Sequence, residues 1–330
     1  MTKKVKVAVI GAGNMGRHHV RNYAELDAAE LLAVADSNPD TAKLAAEHGA
    51  KHYTDYIKML DEVRPDAVSV VVPTPYHLEV GRAVLSRGIH MLIEKPIASS
   101  VEEATELMVL AKQQKVIFTV GHIERYNPVV RKLKELIDEG RVGKVTSVIS
   151  KRVGGFPKVE PKTDVIVDLA IHDIDIISYL LGKHPLFVSS HGSRTIHSQK
   201  LDSAEILLDY GHASGFIQAN WVTPVKIRTI AVTGSDGYID GNYITQELHY
   251  YKHVKQPSAG FKEFVADLGD PQKELIPVDF QEPLAAELSV FLGAIQGKVF
   301  GRLVEPADAK EALRVALKAV GQSNGGPSGR

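Results

Sequence analysis

Two side chains that can exchange protons lie one helical turn apart in the middle of the sequence. Asp168 and His172 fall within an apolar helical pattern over residues 165–181, so they project from the same face, with Asp175 roughly on that face too. An imidazole oriented by a carboxylate is a usual general base for an alcohol proton. The alternatives are a core histidine held by Asp168 and a metal site, because this spacing also suits two ligands. The helix has no second histidine, and we predict no metal.

A glycine-rich turn near the start of the chain has the spacing of a phosphate-binding loop. The apolar run Val5–Ile10 predicts a strand, the sequence Gly11-Ala12-Gly13-Asn14-Met15-Gly16 follows it, and a helix is predicted over residues 17–26. In such a turn the first glycine permits the bend, the second lets the backbone approach a pyrophosphate, and the third lets the helix pack on the strand. The helix N-terminus then offers N–H groups and a positive dipole to the phosphates.

The acid at the end of the next predicted strand indicates which dinucleotide fits this turn. Asp36 ends an apolar run about 20 residues beyond the glycines, where a carboxylate accepts hydrogen bonds from the adenine-ribose hydroxyls. It would also repel a 2′-phosphate, and Ser37 offers no positive charge to neutralise one. Asp36 is equally suited to begin the turn over residues 36–39. We predict NAD as the cofactor, in preference to NADP.

Strand and helix signals alternate from residue 38 to residue 144, which is typical of a doubly wound parallel sheet of the Rossmann type. Ligands bind such sheets beyond the carboxyl ends of the strands, so the predicted strand ends should face one crevice. The predicted cofactor contacts are Gly11, Gly13, Asn14, Met15, Gly16, Asp36, Ser37, Pro73, Thr74, His77, Glu94, Lys95 and His122.

Lys95 stands out among these residues because it follows directly on a predicted strand, in the tight turn Glu94-Lys95-Pro96. A lysine there can reach both the nicotinamide ribose and the substrate. The alternative is a solvated lysine at a strand end. The other histidines near the sheet, His18, His19 and His90, are predicted to be structural and to lie on helix and strand surfaces.

The pattern changes in the second part of the chain. Alternating apolar and polar residues predict strands over 144–153, 186–196, 204–210, 213–222, 227–232 and 246–251, while helices are predicted over 165–181, 283–295 and 306–320. The sequence therefore predicts an α/β protein with a Rossmann domain over residues 1–122 and an α+β domain over residues 123–330. The second domain is built on a large, mostly antiparallel sheet, and the last helices are expected to pack back on the first domain.

Composition narrows the classes of function. The 330 residues suit two domains, and a net charge of −1 without a basic stripe argues against a nucleic-acid or membrane-surface role. The absence of cysteine excludes disulfides, thiolate metal sites and a cysteine nucleophile. No segment has the length of a membrane span or a signal peptide. We therefore expect a cytoplasmic enzyme.

The glycine turn, Glu94-Lys95-Pro96, Gly121-His122 and Asp168-x-x-x-His172 occur together and in this order. Through these motifs the chain resembles, over essentially its whole length, one family of NAD(P)-dependent oxidoreductases. This is the glucose–fructose oxidoreductase, inositol dehydrogenase and rhizopine-catabolism family. The resemblance implies that Lys95, Asp168 and His172 line the reaction centre, with His172 as the acid/base. It also implies that the antiparallel sheet covers the substrate and pairs subunits into a homodimer or homotetramer.

A shorter motif points to a substrate class. The octapeptide Gly121–Pro128 resembles the version found in bacterial and archaeal UDP-N-acetylglucosamine 3-dehydrogenases. This resemblance implies oxidation of a ring hydroxyl, at C3, of a nucleotide-activated amino sugar. Besides Lys95, Asp168 and His172, the expected substrate contacts are Arg125, Asn127 and Arg152, of which either arginine could meet a diphosphate. The alternatives are ordinary solvated or inter-subunit charges for the arginines, and an inositol or free-sugar dehydrogenase or a non-catalytic NAD sensor for the protein.

Overall fold

The computed structural model describes residues 3–158, 160–252, 273–298 and 301–324. The chain forms two compact units, of which the first comprises Met1–Tyr126 with Gln281–Arg314 and the second comprises Asn127–Phe280 with Val315–Arg330. The first unit thus runs past the predicted division at residue 122 and takes in a second, later segment of the chain.

A parallel sheet of six strands forms the centre of the first unit. Its strands are β1 (Val5–Ile10), β2 (Ala29–Ala35), β3 (Lys51–Tyr53), β4 (Ala67–Val70), β5 (His90–Glu94) and β6 (Phe118–Gly121). They are arranged in the order β3-β2-β1-β4-β5-β6. The direction of winding reverses between β1 and β4, and this switch point is where doubly wound sheets bind their ligands.

Five helices connect these strands, and local capping explains several of their ends. They are α1 (Gly16–Glu25), α2 (Ala42–Glu47), α3 (Tyr56–Val63), α4 (His77–Leu85) and α5 (Val101–Gln114), with 3₁₀ turns at Pro39–Thr41, Thr74–Tyr76 and Ile123–Tyr126. The side chain of Asp55 accepts hydrogen bonds from the first-turn N–H groups of α3, and Ser100 does the same for α5.

A late helix completes the core of the first unit. Helix α8 (Pro283–Ile295) buries Leu288 and Phe291 in the same apolar cluster as Val7 and Val9 of β1. The last helix, α9 (Pro306–Asn324), has residues in both units. It continues four residues beyond the predicted end at residue 320, and the rest of the glycine- and serine-rich tail, 325–330, lies outside the described residues.

An eight-stranded sheet forms the centre of the second unit. Its strands are β7 (Val145–Val153), β8 (Phe187–Ser193), β9 (Ser203–Asp209), β10 (Ser214–Asn220), β11 (Ile227–Gly234), β12 (Gly237–Asn242), β13 (Glu247–Lys252) and β14 (Lys273–Ile276), in the order β14-β13-β12-β11-β7-β10-β9-β8. Only β7 and β10 pair in parallel among these described strands, so the sheet is mostly antiparallel, as predicted. The sequence prediction missed β12 and β14. Strand β12 contains two glycines, Asp240 and Asn242, and these residue types all have low strand propensity.

Helices cover one face of this sheet. The side chains of Val148, Ile217 and Ile230 point to that face and are fully buried, whereas Ile149 and Phe216 point to the opposite face and are exposed. The remaining helical elements of the unit are α6 (Pro128–Asp138), a π-helical turn at Ile166–Ala170 and α7 (Ile171–Leu181), which contacts β7 and β10.

No helix in the described parts of the chain is both long and apolar enough to cross a membrane.

Candidate functional site

The three glycines of the turn after β1 have different steric surroundings. A Cβ added to Gly11, whose φ is +95°, would lie 2.6 Å from the carbonyl oxygen of Val71, and one added to Gly16 would lie 1.9 Å from that of Gly11. A Cβ added to Gly13 would meet no described atom within 4 Å. Gly11 and Gly16 are therefore required by the protein's own backbone, while Gly13 leaves open space for a group such as a pyrophosphate. Asn14 is exposed and Met15 is half-buried in the same turn.

Asp36 begins the turn after β2 and also contacts the glycine turn. Its Oδ2 accepts a hydrogen bond from the backbone N–H of Ala12 at 2.6 Å, and its Oδ1 accepts one from Asn38 at 2.9 Å. A carboxylate offers about four acceptor positions, so both oxygens can also accept from a ribose hydroxyl. Asp36 is half-buried and Ser37 is exposed, so the residues present fit an adenine ribose without a 2′-phosphate.

We expect the double substitution Asp36→Ala with Ser37→Arg to shift the cofactor preference toward NADP. The change removes a negative charge that would oppose a 2′-phosphate and adds a guanidinium that can bind one. The ratio of kcat/KM for NAD to that for NADP measures the shift, and Ser37→Ala alone is the matched control. A wild-type protein that already prefers NADP would contradict this interpretation of the β2 strand end.

His77 connects the loops that follow β4 and β5. It is buried, and its Nδ1 and Nε2 each lie 2.9 Å from a backbone carbonyl, that of Pro96 and that of Val72 respectively. Burial lowers the pKa of His77, against the opposing effect of these two contacts. The ring therefore holds two strand-end loops together, while Pro73 is exposed and Thr74 half-exposed in the first of them. Direct contacts of these three residues with NAD stay a prediction.

Glu94, at the end of β5, is buried and pairs with a histidine of α1. Its Oε1 lies 3.0 Å from Nε2 of His19, and its Oε2 accepts the backbone N–H of Lys95 at 3.1 Å. The prediction that His19 lies on the helix surface is wrong, because this residue is completely buried. Its position four residues before the aromatic residue Tyr23, on the same face of α1, could have indicated this. Lys95 itself is half-buried in the turn.

The octapeptide Gly121–Pro128, which begins at the last residue of β6, makes several contacts within the protein. His122 is buried, and Nη1 of Arg125 donates to Asp308 in the first turn of α9 at 3.1 Å. Asn127 caps α6 by accepting the N–H of Val129, and its Nδ2 donates to the carbonyl of Tyr243. These contacts give Arg125 and Asn127 structural roles in their respective units, and their substrate contacts stay a prediction.

Asp168 and His172 lie on the polar side of an otherwise buried helical segment. Asp168 is within the π-helical turn and His172 is in the first turn of α7, and both side chains are half-exposed. Asp175, predicted to be roughly on the same face, is buried. Short π-helical turns inside helices occur frequently at functional sites. The accessible Asp168 and His172 side chains are therefore the candidates for acid/base chemistry in this unit.

Arg152 lies on β7 and is a buried residue, not a surface charge. Only 3% of the residue is exposed, its Nε and Nη2 donate to the two oxygens of Asp173 at 2.7 and 3.1 Å, and Ser150 donates to the same carboxylate. The guanidinium also lies over the ring of Tyr243. This buried pair, whose acid is on the neighbouring helix α7, contradicts the interpretation of Arg152 as a solvated charge, while its contact with a diphosphate stays a prediction.

We expect Arg152→Met to destabilise the second unit by about 3–5 kcal/mol, because it leaves the Asp173 carboxylate buried without its cation. The double substitution Arg152→Met with Asp173→Leu should recover most of this loss, since both charges are then removed. Urea unfolding followed by fluorescence of Trp221, the single tryptophan, reports on this unit. A loss below about 1 kcal/mol for the single variant would mean that the pair behaves as an exposed one.

No cluster of three or more histidine, aspartate or glutamate side chains suited to a metal ion occurs in the described part of the chain.

Two protein-family models match the chain, one over the segment with the parallel sheet and one over much of the segment with the mostly antiparallel sheet. Residues 5–122 match the model described as "Oxidoreductase family, NAD-binding Rossmann fold", and residues 130–240 match the GFO/IDH/MocA C-terminal domain. The chain belongs to the Gfo/Idh/MocA family of oxidoreductases. It is therefore an oxidoreductase with an NAD-binding Rossmann domain, and the interpretation as a non-catalytic sensor is not retained.

Members of this family with assigned activities match along the whole chain. UDP-N-acetylglucosamine 3-dehydrogenase of Acidithiobacillus ferrooxidans is 30% identical over 96% of this chain and 98% of its own. The scyllo-inositol 2-dehydrogenase (NAD(+)) of Bacillus subtilis is 29% identical over 99% of this chain and 96% of its own. The solved structure of the A. ferrooxidans enzyme, GnnA, matches with a TM-score of 0.85 and 27% identity over 97% of each chain.

Proposed function

We propose that this protein is a cytoplasmic, NAD-dependent dehydrogenase that oxidises the C3 hydroxyl of UDP-N-acetylglucosamine to the corresponding keto sugar. The observation that carries the proposal is the similarity to the A. ferrooxidans enzyme, which extends through both units at 30% identity. The octapeptide Gly121–Pro128 adds support because it resembles the same group of enzymes.

The proposed chemistry assigns a task to each candidate residue. His172 takes the proton from the sugar hydroxyl as general base, and Asp168 orients and stabilises the resulting imidazolium. Lys95 polarises the same oxygen as it becomes a carbonyl. When bound, NAD supplies the hydride acceptor. Gly13 leaves room for the pyrophosphate, and Asp36 binds the adenine ribose.

A second candidate substrate is a free polyol such as inositol, and one observation favours it. The basic groups expected to meet a diphosphate, Arg125 and Arg152, are buried and paired with Asp308 and Asp173. They therefore give no support to a nucleotide sugar, and an inositol dehydrogenase is among the full-length relatives. The mechanism stays the same in this alternative, and only the substrate changes.

A panel of substrates separates these candidates. Formation of NADH is followed by absorbance with UDP-N-acetylglucosamine, other UDP-sugars, inositols and free sugars. UDP alone should also raise the melting temperature of the NAD-loaded protein, because a ligand that binds only the native state stabilises it by mass action. The proposal fails if UDP gives no stabilisation, UDP-N-acetylglucosamine gives no NADH, and a polyol is oxidised.

The open face of the eight-stranded sheet supports a homodimer or homotetramer as part of this proposal. Ile149, Phe216 and Leu207 are direct neighbours across β7, β10 and β9, and they are 48%, 40% and 45% exposed. A row of adjacent, exposed apolar side chains on a sheet marks an interaction surface. Phe216→Lys should therefore reduce the molar mass measured by light scattering, whereas the same substitution at an exposed polar residue away from this sheet, Gln113→Lys on α5, should have less effect.

A further inference from the structure

The buried acid Glu287 is not among the residues that the sequence predicts to be functional. It is the single charged residue of α8, whose other side chains between Pro283 and Ile295 are apolar or small. Only 1% of Glu287 is exposed, and neither carboxylate oxygen has a hydrogen-bond partner among the described residues. An ionised carboxylate in such a position would be strongly disfavoured, so the carboxyl group must be neutral or have a specific task.

The neighbours of Glu287 show where that task lies. Electrostatic interactions connect it to Glu94 at the end of β5 and to Tyr23 of α1, whose hydroxyl is bonded to Ser69 at 2.8 Å. His19, one turn before Tyr23, lies 6.5 Å from the Tyr23 ring and holds Glu94. Glu287, Glu94, Tyr23 and His19 thus form a cluster that joins α1, β5 and α8 next to the turn that carries Lys95.

The two carboxyl groups of the cluster have opposite surroundings. Glu94 accepts hydrogen bonds from His19 and from the backbone N–H of Lys95, whereas Glu287 accepts none from described residues. Burial acts to raise the pKa of Glu94, but the His19 hydrogen bond and the charges of His19 and Lys95 outweigh it, so the pKa is lowered. Burial first, and then the negative charge of Glu94, raise the pKa of Glu287 well above the ordinary value.

We propose that Glu287 is a positioning residue for the Glu94-Lys95-Pro96 turn. Its carboxyl group stays a neutral acid and leaves Glu94 as the single carboxylate charge of the cluster. Glu94 can then stay bonded to His19 and to the backbone of Lys95. Ionisation of Glu287 would place two like charges in a buried site and push Glu94 away from these donors. The consequence for turnover depends on the proposed role of Lys95, whereas the protonation state does not.

Infrared difference spectroscopy tests the protonation state without any sugar substrate. The spectrum of the wild type minus that of Glu287→Gln should show the C=O stretch of a protonated carboxylic acid at neutral pH. The band should vanish as the pH is raised, because the neutral form exists below the raised pKa. The exposed Glu30→Gln, which makes the same substitution on β2, should instead show loss of carboxylate bands. Carboxylate bands for Glu287 at neutral pH overturn the proposal.

Cofactor binding and turnover test the positioning role. Glu287→Gln should keep NAD affinity and kcat within about twofold at neutral pH, because it replaces a neutral acid by a neutral group of the same size. The wild type should lose NAD affinity at alkaline pH, where Glu287 ionises, and Glu287→Gln should not show this loss. Glu94→Gln should lower kcat by about tenfold or more, since it removes a charged acceptor from two donors.

Two results would overturn the positioning role. One is a Glu287→Gln variant that loses NAD affinity as severely as Glu287→Ala, and the other is an alkaline pH profile that is unchanged in Glu287→Gln. NAD affinity is measured by calorimetry without a sugar, so these outcomes differ from a failure of the proposed function, which would leave both the infrared and calorimetric results as expected.

Discussion

Replacing His172 with alanine is expected to lower kcat by about 10²–10⁴-fold, the range typical for loss of a general acid/base. NAD affinity should change little, because the proposed role of His172 is to take the hydroxyl proton during hydride transfer. Steady-state kinetics on the substrate identified by the panel, together with calorimetric titration of NAD, measure the two effects separately.

His191→Ala is the matched control for this prediction, because His191 is an exposed histidine on β8 of the same unit. It should leave both kcat and NAD affinity near the wild-type values. The His172 variant should also lose the limb of the pH profile of kcat/KM that reports protonation of the base. A His172→Ala enzyme with near-normal kcat would mean that Asp168 and His172 are only a structural pair.

The matched substitutions Gly16→Ala and Gly13→Ala are expected to separate folding from cofactor binding. A methyl group at Gly16 would lie 1.9 Å from the carbonyl oxygen of Gly11, so the backbone must shift, and we expect a loss of stability of about 1–3 kcal/mol or more. A methyl group at Gly13 meets no described atom within 4 Å, so the apo protein should keep its stability. It should nevertheless bind NAD at least about tenfold more weakly, equivalent to about 1.4 kcal/mol.

Thermal unfolding without NAD and calorimetric titration with NAD distinguish these two effects. Gly88→Ala is less suited as a control, because its φ of +68° makes alanine strained even though space is available. Gly321→Ala, which has open space and lies in α9, is the better control: it should leave NAD affinity unchanged and should raise the stability slightly, by about 0.5–1 kcal/mol, because alanine favours the helix. Normal NAD affinity in Gly13→Ala would show that the pyrophosphate does not approach this glycine.

The order of elements in the first unit could be predicted from the sequence because its signals are local. Buried parallel strands are short β-branched runs, and helix boundaries carry capping residues such as Ser100 and turn residues such as Gly88. The glycine turn followed by Asp36 also carries its meaning within about 30 residues, the length of one βαβ unit. The helical pattern around Asp168 and His172 likewise defines a shared face without tertiary information.

Strand prediction was less complete in the second unit for a related physical reason. Strand β12 has glycine at two positions, and β14 is only four residues long, so their stability comes from pairing with neighbours and not from local propensity. The parallel pairing of β7 with β10 inside a mostly antiparallel sheet also depends on contacts between segments distant in sequence.

The sequence by itself determined the fold class and the family, and it predicts which residues suit NAD binding and proton transfer, because these depend on residue types at short, regular spacing. Only the tertiary structure decided which charged groups are already paired. Arg125 binds Asp308, Arg152 binds Asp173 and His19 binds Glu94, and each of these pairs joins residues at least 21 positions apart. A charge's availability for a substrate depends on such partners and on its burial, and neither property is encoded in the residues immediately around it.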